Sequence, residues 1–324
     1  MTACARSAAL RLALAGALAG VLGAAPGPAR AQEPGAGTDT VRFRFDWPDG
    51  TEATVGYTRV IEREEGTPAS RIEIEGEYTM HVHGHPSGLV VEHLDPLATR
   101  FRSAPALPPD DPRRIVYSTL GMLDAHWVVS GDGELLGLAA VEALAGSVVD
   151  ALRPLGLDEA SLEAVVAEVT SETQLMGNAR DLWRAMVGAW ADLDVAVGET
   201  FTTQGEEANP IVPSVVLPYL HEYRLVGMEP CAAPGGRCAH LELVSFPDPH
   251  ELTRVMSDAL QQMGLPQMSF ERLVQLSQVT LLTDPATLLP REVVVSKRVD
   301  GFLLDGGERK IFRRGDSTRL SFTY

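Results

Sequence analysis

The sequence predicts an α+β protein. We expect a mostly antiparallel, curved sheet with two helix–break–helix units packed on one side, related as a pseudo-two-fold repeat. Three observations predict it. Runs that alternate apolar and polar residues dominate both ends of the chain, as strands with one wet face do. A stretch occurs twice: residues 150–166 read DALRPLGLDEASLEAVV and residues 258–274 read DALQQMGLPQMSFERLV. Without a gap, Asp150, Ala151, Leu152, Gly156, Leu157, Ser161, Glu163 and Val166 match Asp258, Ala259, Leu260, Gly264, Leu265, Ser269, Glu271 and Val274. Finally, Leu175, Ala179, Leu182, Trp183, Met186 and Trp190 recur at the spacing of one helix face.

The chain opens with Arg6 and Arg11, an apolar run from Leu12 to Ala25, and the small-residue triplet Ala29-Arg30-Ala31. This is the pattern of a secretory signal peptide over 1–31, cut before Gln32. It is too short for a membrane span, and no later stretch is long and apolar enough for one. Cys4 precedes the apolar run, where no lipid-bearing cysteine would sit. The expectation is an exported protein, periplasmic or extracellular. Residues 32–40 read as a flexible lead, 41–196 as a first half and 197–324 as a second half, the two forming one domain.

From Val41 to Phe101 strands are expected at 41–47, 52–63, 70–83 and 88–101. Turns fall at Pro48-Asp49-Gly50, Gly66-Thr67-Pro68 and Gly84 to Gly88. Residues 102–114 are a Pro-rich connection, and 115–124 suit helix or strand. Gly131-Asp132-Gly133 marks a hairpin between 125–130 and 134–139. The first copy of the repeat then reads as a helix ended by Gly156 and a second helix capped by Ser161, followed by a helix over 172–190. In the second half, Pro210, Pro213 and Pro218 break up a loop. A second helical unit is expected over about 249–276, with Pro266 in a first helical turn. Strands are expected at 277–284, 288–299, 308–314 and 317–324, with Arg314-Gly315-Asp316 at a turn.

Cys231 and Cys238 flank the turn-forming spacer AAPGGR, which reads as a disulfide stapling a hairpin between 219–229 and 239–246. The chain holds 27 basic and 44 acidic residues, a formal net charge of −17. Arg6, Arg11 and Arg30 precede Gln32, so the rest is more acidic still. That argues against nucleic acid or an anionic membrane as partner. Lysine occurs only at Lys297 and Lys310.

His81-Val82-His83-Gly84-His85 is the strongest metal-like pattern, because alternate residues share a strand face. That face also carries Glu73, Glu75 and Glu77, as a solvated face would. His93 joins His81 and His83 in one register of the following hairpin and points away in the other, where residue 80 pairs with 93. Catalytic signatures are missing: there is no G-x-S-x-G, no Walker loop and no G-x-G-x-x-G. His221-Glu222 and His250-Glu251 lack the second histidine of a zinc helix. No cofactor is implied. Leu320, Phe322 and Tyr324 alternate like the last strand of an outer-membrane barrel, but the helices and charged strands argue against one.

The leader, the β-rich chain around a helical insert and the ending LLTDPATLLPREVVVSKR…FRRGDSTRLSFTY resemble secreted bacterial proteins of uncharacterised function. More loosely, they resemble the lipoprotein-carrier class. The resemblance implies a non-catalytic envelope protein with an apolar groove between sheet and helices. Its partner would be an apolar small molecule or another envelope protein. Trp183, Met186, Trp190, Met256 and Met263 are the candidate lining, although plain core explains their spacing more simply. A secreted metal- or carboxylate-dependent hydrolase and an acidic interaction module are the alternatives.

Overall fold

The computed structural model describes residues 40–65, 69–108, 111, 114, 117–118, 125–208, 216–231, 236–262 and 264–324. The expected signal peptide, nearly all of the lead, the Gly66-Thr67-Pro68 turn, most of the 109–124 connection, Pro210, Pro213 and Met263 lie outside them. The elements are β1 (Thr40–Arg42), β2 (Glu52–Glu65), β3 (Ser70–His85), β4 (Gly88–Ala104), β5 (His126–Ser130) and β6 (Leu135–Ala139). Three helices follow: α1 (Val141–Leu152), α2 (Glu159–Val169) and α3 (Glu172–Trp183), the last running into a π turn over Arg184–Gly188. Then come β7 (Asp194–Ala196), β8 (Thr200–Ala208), β9 (Val216–Pro230), β10 (Arg237–Pro247), α4 (Pro249–Gln262), β11 (Met268–Thr283), β12 (Pro290–Asp305) and β13 (Glu308–Thr323).

The protein is α+β, as the alternation predicts. Eleven strands form one sheet in the order β6-β5-β4-β3-β2-β13-β12-β11-β10-β9-β8, every neighbouring pair antiparallel, and β1 pairs with β7 apart from it. Each half is a meander of hairpins, and the halves meet where β13 pairs with β2, from Phe312 opposite Glu65 to Thr323 opposite Thr54. Among the described residues, helices α1 to α4 cover one face, called inner here. Val148 and Leu152 of α1 and Val165 of α2 pack on Ile61 and Ile74. Ala179 and Trp183 of α3 pack with Met80, Val82, Leu241, Leu281, Val293 and Leu320. Leu252, Val255 and Met256 of α4 pack on Leu217, Leu273, Leu303 and Phe312. Each fully buried Leu or Val contributes about 1.5–3 kcal/mol by leaving water.

The two copies of the repeat diverge halfway. Both end a helical segment at a left-handed glycine, Gly156 (φ +60) and Gly264 (φ +79). The first copy continues as α2, capped by Asp158 rather than Ser161. The Asp158 carboxylate accepts the Ser161 N–H at 2.9 Å and the Ser161 hydroxyl at 2.9 Å, and those bonds hold its pKa below the usual range. The second copy continues as β11, so a helix over 268–276 is not formed, Ser269 caps nothing and Pro266 lies in a turn. A bulge between Phe270 and Arg272 explains the misleading pattern. It turns Phe270 and Leu273 inward together, a spacing of three that imitates a helix face. Gly301 sits opposite because a Cβ there would lie 2.0 Å from the Arg272 carbonyl oxygen.

Two further expectations change. Only Thr40–Arg42 of the first run is strand; Phe43, Arg44 and Asp46 instead donate their N–H groups to Leu193, Pro285 and Thr287, which seats Phe43 and Trp47 in the core. Arg314-Gly315-Asp316 is not a turn but the middle of β13, hydrogen-bonded on both sides. The Cys231–Cys238 disulfide forms, with a Cα separation of 5.2 Å, between the ends of β9 and β10.

Candidate functional site

Strand alternation decides which residues face inward; register decides which of them share a row. Across β13, β12, β11, β10, β9 and β8 one inward row reads Asp316, Lys297, Ser277, Ser245, His221 and Thr203. Every member is polar; the next inward rows mix apolar side chains with Thr318 on one side and with Arg314 and Gln275 on the other. On β12 the inward positions Val295, Lys297, Val299 and Gly301 are half-buried, while Val293 and Leu303 at either side are buried. On β13 the inward Arg314, Asp316 and Thr318 are half-buried between buried Phe312 and Leu320, and on β2 Tyr57 and Arg59 lie between buried Val55 and Ile61. Water therefore reaches the inner face at β2, β13 and β12, a region called the trough here.

The wall above the row is the end of α3. The Ala189 N–H reaches back five residues to the Arg184 carbonyl at 3.0 Å, widening the helix into its π turn. Arg184 pairs with Glu207 of β8 and lies 3.1 Å from His221 Nδ1. His221 Nδ1 also meets the Ser245 hydroxyl at 2.8 Å. Burial, with Arg184 adding to it, pushes the His221 imidazole down to about 4. Gln275 donates to the Tyr219 hydroxyl at 2.9 Å, and Arg59 clamps Asp316 with two hydrogen bonds, at 3.0 and 2.5 Å.

Asp181, one turn before Arg184, and Lys297 of the row behave differently. Their charges attract, yet among the described residues neither side chain has a hydrogen-bond or salt-bridge partner. Burial pushes the Asp181 carboxyl up to about 7 against the opposing pull of Lys297, with Glu207 adding to the rise. Burial likewise lowers the Lys297 ammonium against the pull of Asp181, Glu207 and Asp316. This is one of two lysines in the whole chain, in a protein whose other cations are arginines. An ammonium can give up its proton in such a place and a guanidinium cannot.

Ser245, His221 and Glu207 stand in the order of a nucleophile, a base and an orienting acid, with Glu207 3.6 Å from His221 Nε2. All three are buried, His221 at 0% and Ser245 at 6% exposure, and Arg184 stands over the imidazole. The three bond to one another and to Arg184 at the wall of the trough.

Trp183, Met186 and Trp190 are fully buried in the α3 core. The Trp183 indole N–H donates to the Gly133 carbonyl and the Trp190 indole N–H to the Ala185 carbonyl, each at 2.9 Å. Met256 belongs to a separate cluster under α4, and Met263 lies outside the described residues. Among the described residues, Met256 does not share a cluster with Trp183, Met186 and Trp190. A surface groove of about 640 Å³ runs along α4 between Pro249 and Arg272. Of its charged residues Arg254, Glu271 and Arg272, all exposed, the first two are paired, with Glu251 and Arg309.

On the outer face, residue 80 pairs with 93, so His93 points inward and away from His81 and His83. Its ring meets Trp127 edge-on at 4.5 Å and its Nδ1 lies 3.3 Å from the Ala125 carbonyl. Burial pushes it down to about 4. Glu92 takes the place expected of His93: its Oε2 lies 3.4 Å from His81 Nδ1 and 3.6 Å from His83 Nδ1, and its Oε1 lies 3.8 Å from His126 Nδ1. Sequence reasoning missed Glu92 and His126 because both are contributed by other strands.

No known protein family matches the sequence, and no curated protein matches it. A solved structure described as lipid-protein interactions in lipovitellin is similar, with a TM-score of 0.42 and 10% identity. The similarity covers 86% of this chain and 26% of that one, so the chain spans about a quarter of its length.

Proposed function

We propose that this chain is an exported, non-catalytic binding protein that holds an amphipathic small molecule in the inner-face trough. The observation that carries the reading is the pair Asp181 and Lys297. A carboxyl and an amine that attract each other, hold no direct bond and lie partly open to water are a donor and an acceptor waiting for a bridging group. The ligand's polar end fits between them. Its apolar body fits over the half-buried Val295 and Val299, which flank Lys297 on β12, and toward Tyr57. The leader at residues 1–31 and the Cys231–Cys238 disulfide support export to an oxidising compartment. Among the described residues no helix is long and apolar enough to cross a membrane. Native mass spectrometry of the chain purified from its own envelope tests the proposal. The wild type should carry a noncovalent mass that the Asp181→Asn/Lys297→Met variant lacks. An empty wild type, or equal loading of both, would overturn it.

A further inference from the structure

We infer that the outer face carries a binding site for a divalent transition metal, Zn²⁺ by its donor chemistry, formed by His81, His83 and Glu92 with His126 beside them. The geometry fits a metal better than a set of hydrogen bonds. In a tetrahedral zinc site with bonds of about 2.0–2.2 Å, neighbouring donor atoms lie about 3.3–3.5 Å apart. His81 Nδ1 and His83 Nδ1 stand 3.4 and 3.6 Å from the same Glu92 oxygen, too long for good hydrogen bonds and close to that tetrahedral edge. One donor atom from each of these three residues falls within 4.8 Å of the others. His126 approaches the second Glu92 oxygen at 3.8 Å and stands beside the three converging donors rather than among them.

The sheet holds these groups in place before any ligand arrives. His81 and His83 alternate on β3, with ring centroids 5.6 Å apart. Glu92 lies directly opposite His81 on β4. The pairing of Val91 with Trp127 puts Glu92 next to His126 on β5. Asp49 accepts the Gly84 N–H at 2.8 Å, which fixes the strand just beyond His83. The four side chains are between 21% and 39% exposed, so an ion can enter without opening the fold. Among the described residues Glu92 has no arginine or lysine partner. Elsewhere on the same face Glu73 and Glu75 are paired with Arg71, Arg102 and Arg100. A carboxylate ringed by imidazoles and left without a permanent cation suits a borderline ion such as Zn²⁺ rather than Ca²⁺ or Mg²⁺.

Calorimetric titration of the full chain, prepared without a histidine tag, with ZnCl₂ tests the site. One Zn²⁺ should bind per wild-type chain. Binding should be lost in His81→Ala/His83→Ala and weakened about tenfold or more in Glu92→Gln and in His126→Ala. Equal binding by wild type and the double variant, or no binding by the wild type, would overturn the inference. Cu²⁺ electron paramagnetic resonance on the wild type gives a reading that needs no variant to fold. Hyperfine coupling to at least two imidazole nitrogens is expected, and an all-oxygen spectrum would refute the site.

Discussion

The ends of the inner face and its middle are built from the same strands with the same alternation, yet they do opposite things. At the ends, inward residues such as Leu281, Val293 and Leu320 toward α3, or Leu273, Leu303 and Phe312 toward α4, are buried and apolar. In the middle the inward row is polar, half-open on β12 and β13, and held by side-chain hydrogen bonds and ion pairs. The difference teaches where apolar packing resides and where polar groups stay near water. A fully buried apolar layer tolerates little change, whereas a polar row between two such layers keeps charges out of bulk water without sealing them in. Charges so placed carry a cost in stability.

Three experiments bear on that contrast, from the largest effect to the smallest. Leu281→Ala, at the fully buried end, should lose about 2–5 kcal/mol in urea unfolding, while Val295→Ala in the half-open middle should lose about 1 kcal/mol or less. Equal losses would show that the middle is packed like the ends. The second concerns His221. Its folded pKa of about 4 lies below the ordinary value of 6.5, so on acidification the unfolded chain takes up a proton first. Its contribution is complete above pH 6.5 and is lost as the pH falls toward 4, amounting to about 3 kcal/mol. Wild type and His221→Gln should diverge across that window; parallel stability curves would remove the effect. Smallest is the Asp181→Asn/Lys297→Met pair, which should raise stability at pH 8 by about 1–3 kcal/mol by removing two partly desolvated charges. A loss of stability on thermal unfolding would instead make the pair a structural strut.

Much of the fold was legible from local pattern. The alternation of Ile72, Ile74, Tyr78, Met80 and Val82 marked β3 and its wet face, Gly131-Asp132-Gly133 marked the β5–β6 hairpin, and the α3 stripe gave six residues that are all buried or half-buried. The helix expected after Gly264 failed because the bulge at 270–272 breaks the period of two over the very residues used to read it. The turn expected at Arg314-Gly315-Asp316 failed because its charges are matched from elsewhere: Asp316 by Arg59, and Arg314 by Glu65. Of the candidate site, His81 and His83 were legible as a pair; nothing in the trough was.

By itself the sequence determined the class of fold, the Cys231–Cys238 staple, the β5–β6 hairpin and the alternation of faces along strands such as β3, since a period of two or 3.6 and a turn residue are local properties. Only the tertiary structure decided the rows. Which residues stand side by side depends on register, and register depends on turn length, on bulges and on the pairing of β2 with β13, more than two hundred residues apart in the chain. A shift of two residues in any one of those pairings would leave every side chain on its predicted face. It would still part Asp316 from Lys297, or Glu92 from His81, because facing is fixed by the backbone's alternation and neighbourhood by contacts between distant segments.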